Sequence, residues 1–406
     1  MKQKKLMLLG GSRYLLPAIE AAHKLGAYVI TCDFLPDNYA HKFSDEYCNI
    51  SLLDTAALLA KAKELKIDGV LGFANDIGVL PAAVIATEMG LPTPPLKSVE
   101  ILQNKDRFRD FLEKNGFNCP WHYSFDSKDA ALEILRANEK GVKLFPCIVK
   151  PVDSCGSKGC TRVNDWDSLP AALDEAFVKC YNGKIIVEQF LDKVGASSDT
   201  DCFSIDNELV FCSFNCQHFD PASPNPYTPA AYSWPSVMPS WAQNELRGEL
   251  QRLIRILDLG TTVYNVETRM ASDGKAYIME VSPRTGGNRL SELLKLACGQ
   301  DLIENNIRAA LGMDLMPMKD PVYAGSWAEF IVHSNRSGTF RSLDIDPSFA
   351  AQHLVQNDLW VESGDRVTAF TGANQTIGTL VLKFESHEQA EEYLAKPDSW
   401  MKVNVS

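Results

Sequence analysis

The chain has 406 residues, of which 45% are hydrophobic and 23% charged, a globular composition with room for two or three domains and a core that needs no staples. Its formal net charge of −12 argues against a general nucleic-acid or anionic-membrane surface and favours small-molecule partners. The 11 cysteines form no CxxC pairs and read as reduced thiols of a cytoplasmic protein. No HExxH spacing marks a zinc hydrolase, and no apolar run reaches the roughly 18 residues of a membrane helix.

The first element is a strand, Leu6 to Leu9, followed by the Gly10-Gly11-Ser12 turn, a helix to about Leu25 and a strand from Tyr28 to Cys32 ending at Asp33. This βαβ opening looks dinucleotide-binding, but its turn, GGSRYLL, lacks the GxGxxG glycines that let a pyrophosphate approach, so a nicotinamide cofactor is disfavoured. A helix over Ala56 to Leu65, a strand over Gly69 to Phe73 and a helix over Val79 to Met89 complete the unit, which closes at Leu91 to Pro95, LPTPP. One helix, Val99 to Asn115, then carries Lys105, by itself a solvated charge.

Phe145 to Lys150 reads as a strand leading into PVDSCGSKG. Ser154, Gly156, Ser157 and Gly159 make that loop small enough for backbone N–H groups to close over phosphate oxygens, with Lys150 adding a point charge. Ile185 to Leu191 is an apolar strand with Glu188 near its end, either a core strand with an exposed acid or a hinge against a flat ring. The stretch from Phe214 to Trp241, rich in Pro, Tyr, Ser and Asn, is read as a long irregular loop over a substrate pocket, with His218 and Tyr232 as candidates.

Val263 to Arg284 is a hairpin. Asp273-Gly274 suits a two-residue type I′ turn, which pairs Ser272 with Lys275, Glu267 with Glu280, Asn265 with Ser282 and Val263 with Arg284. Like charges directly across a ladder are destabilising unless something neutralises them, and this polar face suits a hard divalent cation beside a phosphate. The alternative is an exposed hairpin whose acids pair with Arg269 and Lys275. Thr285 to Asn288 leads into a helix, Arg289 to Ala297, whose first N–H groups, near Gly287 and Asn288, suit an anionic carboxylate; Asn288 as a plain cap fits equally well. Helices end near Gly312. Strands follow near Trp327 to His333, Arg366 to Phe370 and Gly378 to Phe384, and Ser386 with Gln389 fits a capping box.

In this order, the helix lysine Lys105, the strand and loop IVKPVDSCGSKG, the hinge VEQFL and the carboxylates ending in MEVSPRTGGN resemble the ATP-grasp superfamily of carboxylate-amine ligases. The likeness spans about Lys97 to Gly312, and the joint order is more specific than any single piece. It implies an α/β and α+β protein: an N-terminal Rossmann-like pre-ATP-grasp domain (1–95), a central ATP-grasp domain (96–312) with a mobile lid at about 120–187, and a C-terminal α+β domain (313–406). It further implies ATP and Mg2+, expected as two ions. Lys105 and Lys150 would contact the phosphates under the Ser154 to Gly159 lid, with Glu188 and the backbone of Phe190 and Leu191 on adenine. Glu267 and Glu280 would hold the metal, and Arg284 would stabilise the transferred phosphoryl group. The family usually has Asn where this chain has Ser282, so Ser282 or its neighbour Asn265 completes the metal site. The ribose acid is Asp199 or Asp201, with Asp201 favoured.

The activity implied joins a carboxylate, such as an amino acid, to an amine through an acyl phosphate, as in L-amino-acid ligases. Alternatives are an ATP-sensing module without catalysis and a biotin-carboxylase-like enzyme. No nucleic-acid or membrane partner is expected, and a homodimer is usual among relatives of this kind.

Overall fold

The computed structural model describes residues 3–153, 159–225 and 227–406. Strands β1 (Lys5–Leu9), β2 (Tyr28–Asp33), β3 (Glu46–Asn49) and β4 (Gly69–Leu71) form a parallel sheet in the order β3-β2-β1-β4. Helices α1 (Leu16–Lys24) and α2 (Thr55–Leu65) connect strands of the sheet, α3 (Asp76–Met89) follows β4, and the sheet is covered by helices, so the central strands read as near-continuous apolar runs.

The single helix expected from Val99 to Asn115 is two helices, α4 (Leu96–Gln103) and α5 (Lys105–Lys114). Asn104 between them is extended, φ −121° and ψ 116°, and its side-chain amide donates to the Glu100 carbonyl at 2.8 Å. A residue that closes one helix with its side chain and opens the next with its own carbonyl, 2.8 Å from the Phe108 N–H, turns the chain without leaving orphan groups. Lys105 is thereby placed in the first turn of α5, and its backbone N–H donates to the Val152 carbonyl at 3.0 Å.

The segment expected as the lid folds on a core of its own. Strands β5 (His122–Phe125), β6 (Cys147–Pro151), β7 (Thr161–Val163) and β8 (Ile185–Gln189) form an antiparallel sheet in the order β5-β8-β6-β7. Helices α6 (Lys128–Ala137) and α7 (Leu169–Lys179) pack on it through Ala131, Leu135 and Leu173. Of the small-residue loop, Ser154, Gly156 and Ser157 lie outside the described residues. Gly159 is described, with φ +70°.

The central sheet contains β9 (Ser198–Ile205) and β10 (Glu208–Cys212), and it receives the hairpin below. The next segment corrects an expectation: residues 214–241 are not one irregular loop but carry β11 (Cys216–Phe219) and β12 (Pro229–Trp234), an antiparallel pair. Helix α8 (Ser240–Leu257) follows and backs the central sheet with Leu246, Leu250 and Leu253.

Strands β13 (Thr262–Met270) and β14 (Ala276–Ser282) are the expected hairpin and complete the order β10-β9-β13-β14. Its turn differs from the expectation. Ala271 donates to Lys275 at 3.0 Å and Gly274 to Ala271 at 3.0 Å, so Ser272, Asp273 and Gly274 form a three-residue loop with Gly274 at φ +80°. The ladder starts one residue off, with Thr268 opposite Ile278, and a bulge at Met279 restores it, so Glu267 does face Glu280 and Asn265 does face Ser282. β14 ends at Ser282, leaving Arg284 beyond the ladder.

Helices α9 (Leu290–Cys298) and α10 (Leu302–Ala310) follow, and α10 returns to pack on the first sheet. Among the remaining elements, β15 (Ser326–Val332), β17 (Leu354–Leu359) and β19 (Gly378–Phe384) join the earlier pair in a five-stranded sheet, β11-β12-β15-β19-β17. Strands β16 (Gly338–Ile345), β18 (Arg366–Val367) and β20 (Met401–Val405) make a smaller sheet, and α11 (Pro347–His353) and α12 (His387–Leu394) share their core. The strand expected over Arg366 to Phe370 is only Arg366–Val367. The Ser386 cap is present, its hydroxyl accepting from the Gln389 N–H at 3.3 Å. No helix among the described residues is long and apolar enough to cross a membrane.

Candidate active site

Three adjacent strands present two rows of polar side chains. Register places Asp199 opposite Glu267, and Glu267 opposite Glu280; one step along, Asp201 lies opposite Asn265, and Asn265 opposite Ser282. Period-two alternation puts both rows on one face of the central sheet. Lys105 Nζ approaches Glu280 Oε2 at 3.7 Å, and Arg269 approaches Glu267 Oε1 at 3.5 Å. The two facing glutamates therefore have cations at their flanks and a gap between them that suits another. Among the described residues no three His, Cys, Asp or Glu side chains converge as a ready-made cage. A cation here would take two carboxylates and complete its shell with phosphate oxygens and water, the usual habit of Mg2+.

Lys150 stands at the end of β6 and donates to Glu188 Oε1 at 2.6 Å. Arg109, from α5, donates to Glu188 Oε2 at 2.7 Å and to the Met279 carbonyl at 2.8 Å. The expectation that Glu188 meets adenine is corrected by this geometry: its side chain is 2% exposed and both oxygens are engaged. Burial alone would raise its pKa, but Arg109 and Lys150 prevail and hold it well below the usual carboxylate range. Its work is to orient two cations. At the hinge, the Phe190 N–H donates to the Pro146 carbonyl and the Leu191 carbonyl accepts from Arg269. The Phe190 carbonyl and the Leu191 N–H make no hydrogen bond among the described residues. Cys160, next to Gly159, feels both Lys150 and Lys105, so the end of the small-residue loop lies at the lysines.

Arg284 lies against the first domain. It grips Asp76, in the first turn of α3, with two bonds of 2.7 and 2.8 Å, and donates to the Thr285 carbonyl at 2.9 Å. Ser282 donates to the same Asp76 at 2.9 Å and accepts from Gln103 at 2.9 Å, and it is 1% exposed. As a metal ligand Ser282 is therefore corrected, since its hydroxyl is committed to the domain junction. Asn265 points its amide nitrogen at Asp199 (2.8 Å) and Asp201 (3.3 Å), which leaves the carbonyl oxygen as its only possible metal donor. Asp201 is corrected too: it is fully buried, with one oxygen accepting from the Gly286 N–H at 2.7 Å and the other from Ser291, so it pins the turn to α9 instead of reaching a ribose. Asp199, the other acid considered, is raised to about 7 by burial and by Glu267 beside it.

Asn288 is not the cap of α9. It sits at φ +54°, its side-chain oxygen accepting from Tyr14 at 3.2 Å, while the position before the helix is Arg289. The Arg289 N–H is already given to Glu329 at 2.9 Å. Gly287 has open space where a side chain would stand, whereas a Cβ on Gly286 would run into Leu290 and lie 2.8 Å from Asn265. Tyr232 is buried but attached to the site through a 3.3 Å bond to Asp199. His218 is brought elsewhere, to Ser233 at 2.9 Å and Glu391 at 3.3 Å. Burial, with His387 and Lys193, pushes it down to about 4, so a neutral imidazole makes those contacts at neutral pH.

Arg109, Asp76 and Glu329 were not singled out in the sequence. Arg109 had a signal, since it follows Lys105 by four residues and shares its helical face. Asp76 and Glu329 had none, because their partners come from other domains.

Residues 102–288 match the ATP-grasp domain family. The chain is 25% identical over 320 residues, 77% of its own length and 78% of the other's, to a formate-dependent phosphoribosylglycinamide formyltransferase of Parasynechococcus marenigrum (strain WH8102). Its fold is similar to the crystal structure of an L-amino acid ligase from Bacillus licheniformis, with a TM-score of 0.80 at 20% identity and 100% of both chains covered. It is also similar to the biotin carboxylase domain of a Hydrogenobacter thermophilus 2-oxoglutarate carboxylase solved with MgADP, with a TM-score of 0.77 at 14% identity, covering 100% of this chain and 92% of that one. Residues 102–288 are thus an ATP-grasp domain, set in a chain whose fold as a whole is similar to these enzymes.

Proposed function

We propose that this protein uses ATP to activate a carboxylate as an acyl phosphate and joins it to an amine, releasing ADP and phosphate. The observation that carries this reading is Glu267 in register with Glu280, with Lys105 3.7 Å from Glu280. Opposed carboxylates flanked by a lysine are costly in an empty ladder and useful for a metal-bound triphosphate. Mg2+ held by Glu267 and Glu280, with the Asn265 carbonyl beside them, supplies charge neutralisation. Lys105 and Lys150 bind phosphate oxygens. Arg109 and Glu188 hold Lys150 in place, and the Phe190 carbonyl and Leu191 N–H take the adenine edge.

In the first step a carboxylate oxygen attacks the γ-phosphorus and ADP departs. In the second, the amine nitrogen attacks the acyl carbon, phosphate departs and the nitrogen sheds a proton. Phosphoryl transfer asks mainly for positioning and charge stabilisation, and Arg284, fixed by Asp76, is the group placed for the latter. The relatives named as formyltransferases support formate as one carboxylate to test, beside amino acids.

The test is ADP and phosphate release from MgATP with formate or amino acids as carboxylates, each supplied with and without pooled amines, followed by mass spectrometry. A pair-dependent new amide with stoichiometric phosphate is expected, and Glu280→Gln abolishes it. ATP binding without release in any pool would falsify ligation and leave a nucleotide-sensing module.

A further inference from the structure

The five-stranded sheet turns one face towards α9, where Tyr232, Ile331 and Val381 pack with Leu290 and Leu293. Amid this apolar packing sits Glu329, fully buried, in register between Tyr232 on one side and Val381 on the other. One of its oxygens accepts the Arg289 N–H at 2.9 Å; the other, Oε2, has no hydrogen-bond partner. Thr379 Oγ1, also buried, has none either; Thr379 faces Ile331, two residues along from Glu329 on the same face. A buried carboxylate oxygen without a donor costs far more than a satisfied one, so such a group points to a donor that arrives with a ligand.

The surroundings specify the kind of donor. Asn288 presents a side-chain oxygen, Tyr14 reaches that oxygen from the first domain at 3.2 Å, and Tyr232 links the patch to Asp199 at 3.3 Å. The guanidinium group nearest Glu329 is taken, Arg289 being bonded to Glu292 (3.0 Å) and Gln356 (2.6 Å). What is left is a carboxyl among oxygen atoms, with no free cation of the protein's own beside it among the described residues. Resting on the carboxylate-amine reading above, we propose that Glu329 Oε2 receives the amine substrate as its ammonium ion, at the junction of the first domain, the Thr285–Arg289 turn and the five-stranded sheet.

The substrate class follows. An unphosphorylated primary amine places a cation against Glu329, whereas a phosphorylated amine of the kind named for the formyltransferase relatives brings a dianion to a carboxyl whose neighbouring Arg289 is already bonded. Burial lifts Glu329 to about 8 against the pull of Arg289, so the free site holds its proton at neutral pH and gives it up to solvent when an ammonium ion arrives.

Calorimetric titration of the full chain tests this, using each of the proteinogenic amino acids, putrescine and phosphoribosylglycinamide, with MgADP titrated in parallel. At least one unphosphorylated amine is expected to bind the wild type and to bind Glu329→Gln about 10-fold or more weakly, with MgADP affinity unchanged, because the amide keeps the shape and the Arg289 bond but not the charge. If Glu329→Gln does not fold, Thr379→Val provides the same comparison, with an expected loss of about 3-fold. The proposal is overturned if no unphosphorylated amine binds, if one binds the variant as well as the wild type, or if phosphoribosylglycinamide is the better ligand. Failure of the wild type to bind MgADP defeats the ligase reading itself, a separate result.

Discussion

Glu188 and Arg109 meet at 2.7 Å with side chains 2% and 3% exposed, and removing one partner of such a pair strands the other without solvent. Glu188→Gln should lower unfolding stability by about 3 kcal/mol in chemical denaturation. It should also weaken ATP binding, because Lys150 loses its anchor. The pair sets an acid limit as well: because Glu188 is held below its ordinary 4.5, its contribution is complete above that pH and is lost as pH falls further. Glu329 runs the other way. Its ordinary value of 4.5 rises to about 8, so the stability of its protonated form is complete below about 4.5 and vanishes as pH climbs through 8. Arg289 just before α9, Glu292 from α9, Asp201 from the central sheet, Tyr232 beside it and Tyr14 from the first domain are charged and titratable groups that face it. Melting temperature should fall between about pH 5 and 8 in the wild type without ligand and stay flatter in Glu329→Gln. An equal decline in both would assign the slope to other groups.

At the scale of elements, the hairpin register was legible because two departures cancel. The three-residue loop shifts the ladder by one, the Met279 bulge shifts it back, and the Glu267–Glu280 pairing comes out as the alternation of polar residues demands. The bulge also turns the Met279 carbonyl to Arg109, a use that no periodicity reveals. The break at Asn104 is invisible in the sequence because Val99 to Asn115 keeps helical patterning across it; it depends on a side chain closing the preceding turn. Gly286 is where strand, turn and α9 approach most tightly. Gly286→Ala should cost about 1–3 kcal/mol, measured by thermal unfolding, since its Cβ would meet Leu290 and the Asn265–Asp201 pair. The neighbouring Gly287, with open space, should tolerate Ala with little change, which makes it the internal control.

For the whole molecule, the decisive contact is Asp76 with Arg284 and Ser282. One carboxylate of the first domain orients the arginine beyond β14 and occupies the serine that was expected to bind metal. Asp76→Ala should reduce kcat by about 10-fold or more while leaving the ATP dissociation constant within about 3-fold, because displacing a positioned group affects the transition state more than nucleotide binding. Single-turnover kinetics with MgATP and an identified substrate pair separates the two effects. Weakened ATP binding with unchanged kcat would move Arg284 from the chemistry to nucleotide recognition.

The sequence by itself determined the parallel opening sheet, the order of lysines, hinge and paired acids, and the face on which those acids stand, because these follow from short-range periodicity and turn chemistry. Only the tertiary structure decided which polar groups remain open to a ligand. Glu188, Asp201 and Ser282 each read as ligand-facing residues, and each is occupied by a partner 79 to 206 positions away. The same holds for the segment before α8, whose strands pair with a sheet built largely from residues beyond 325. A side chain's availability depends on what long-range packing brings against it, and local sequence does not carry that information.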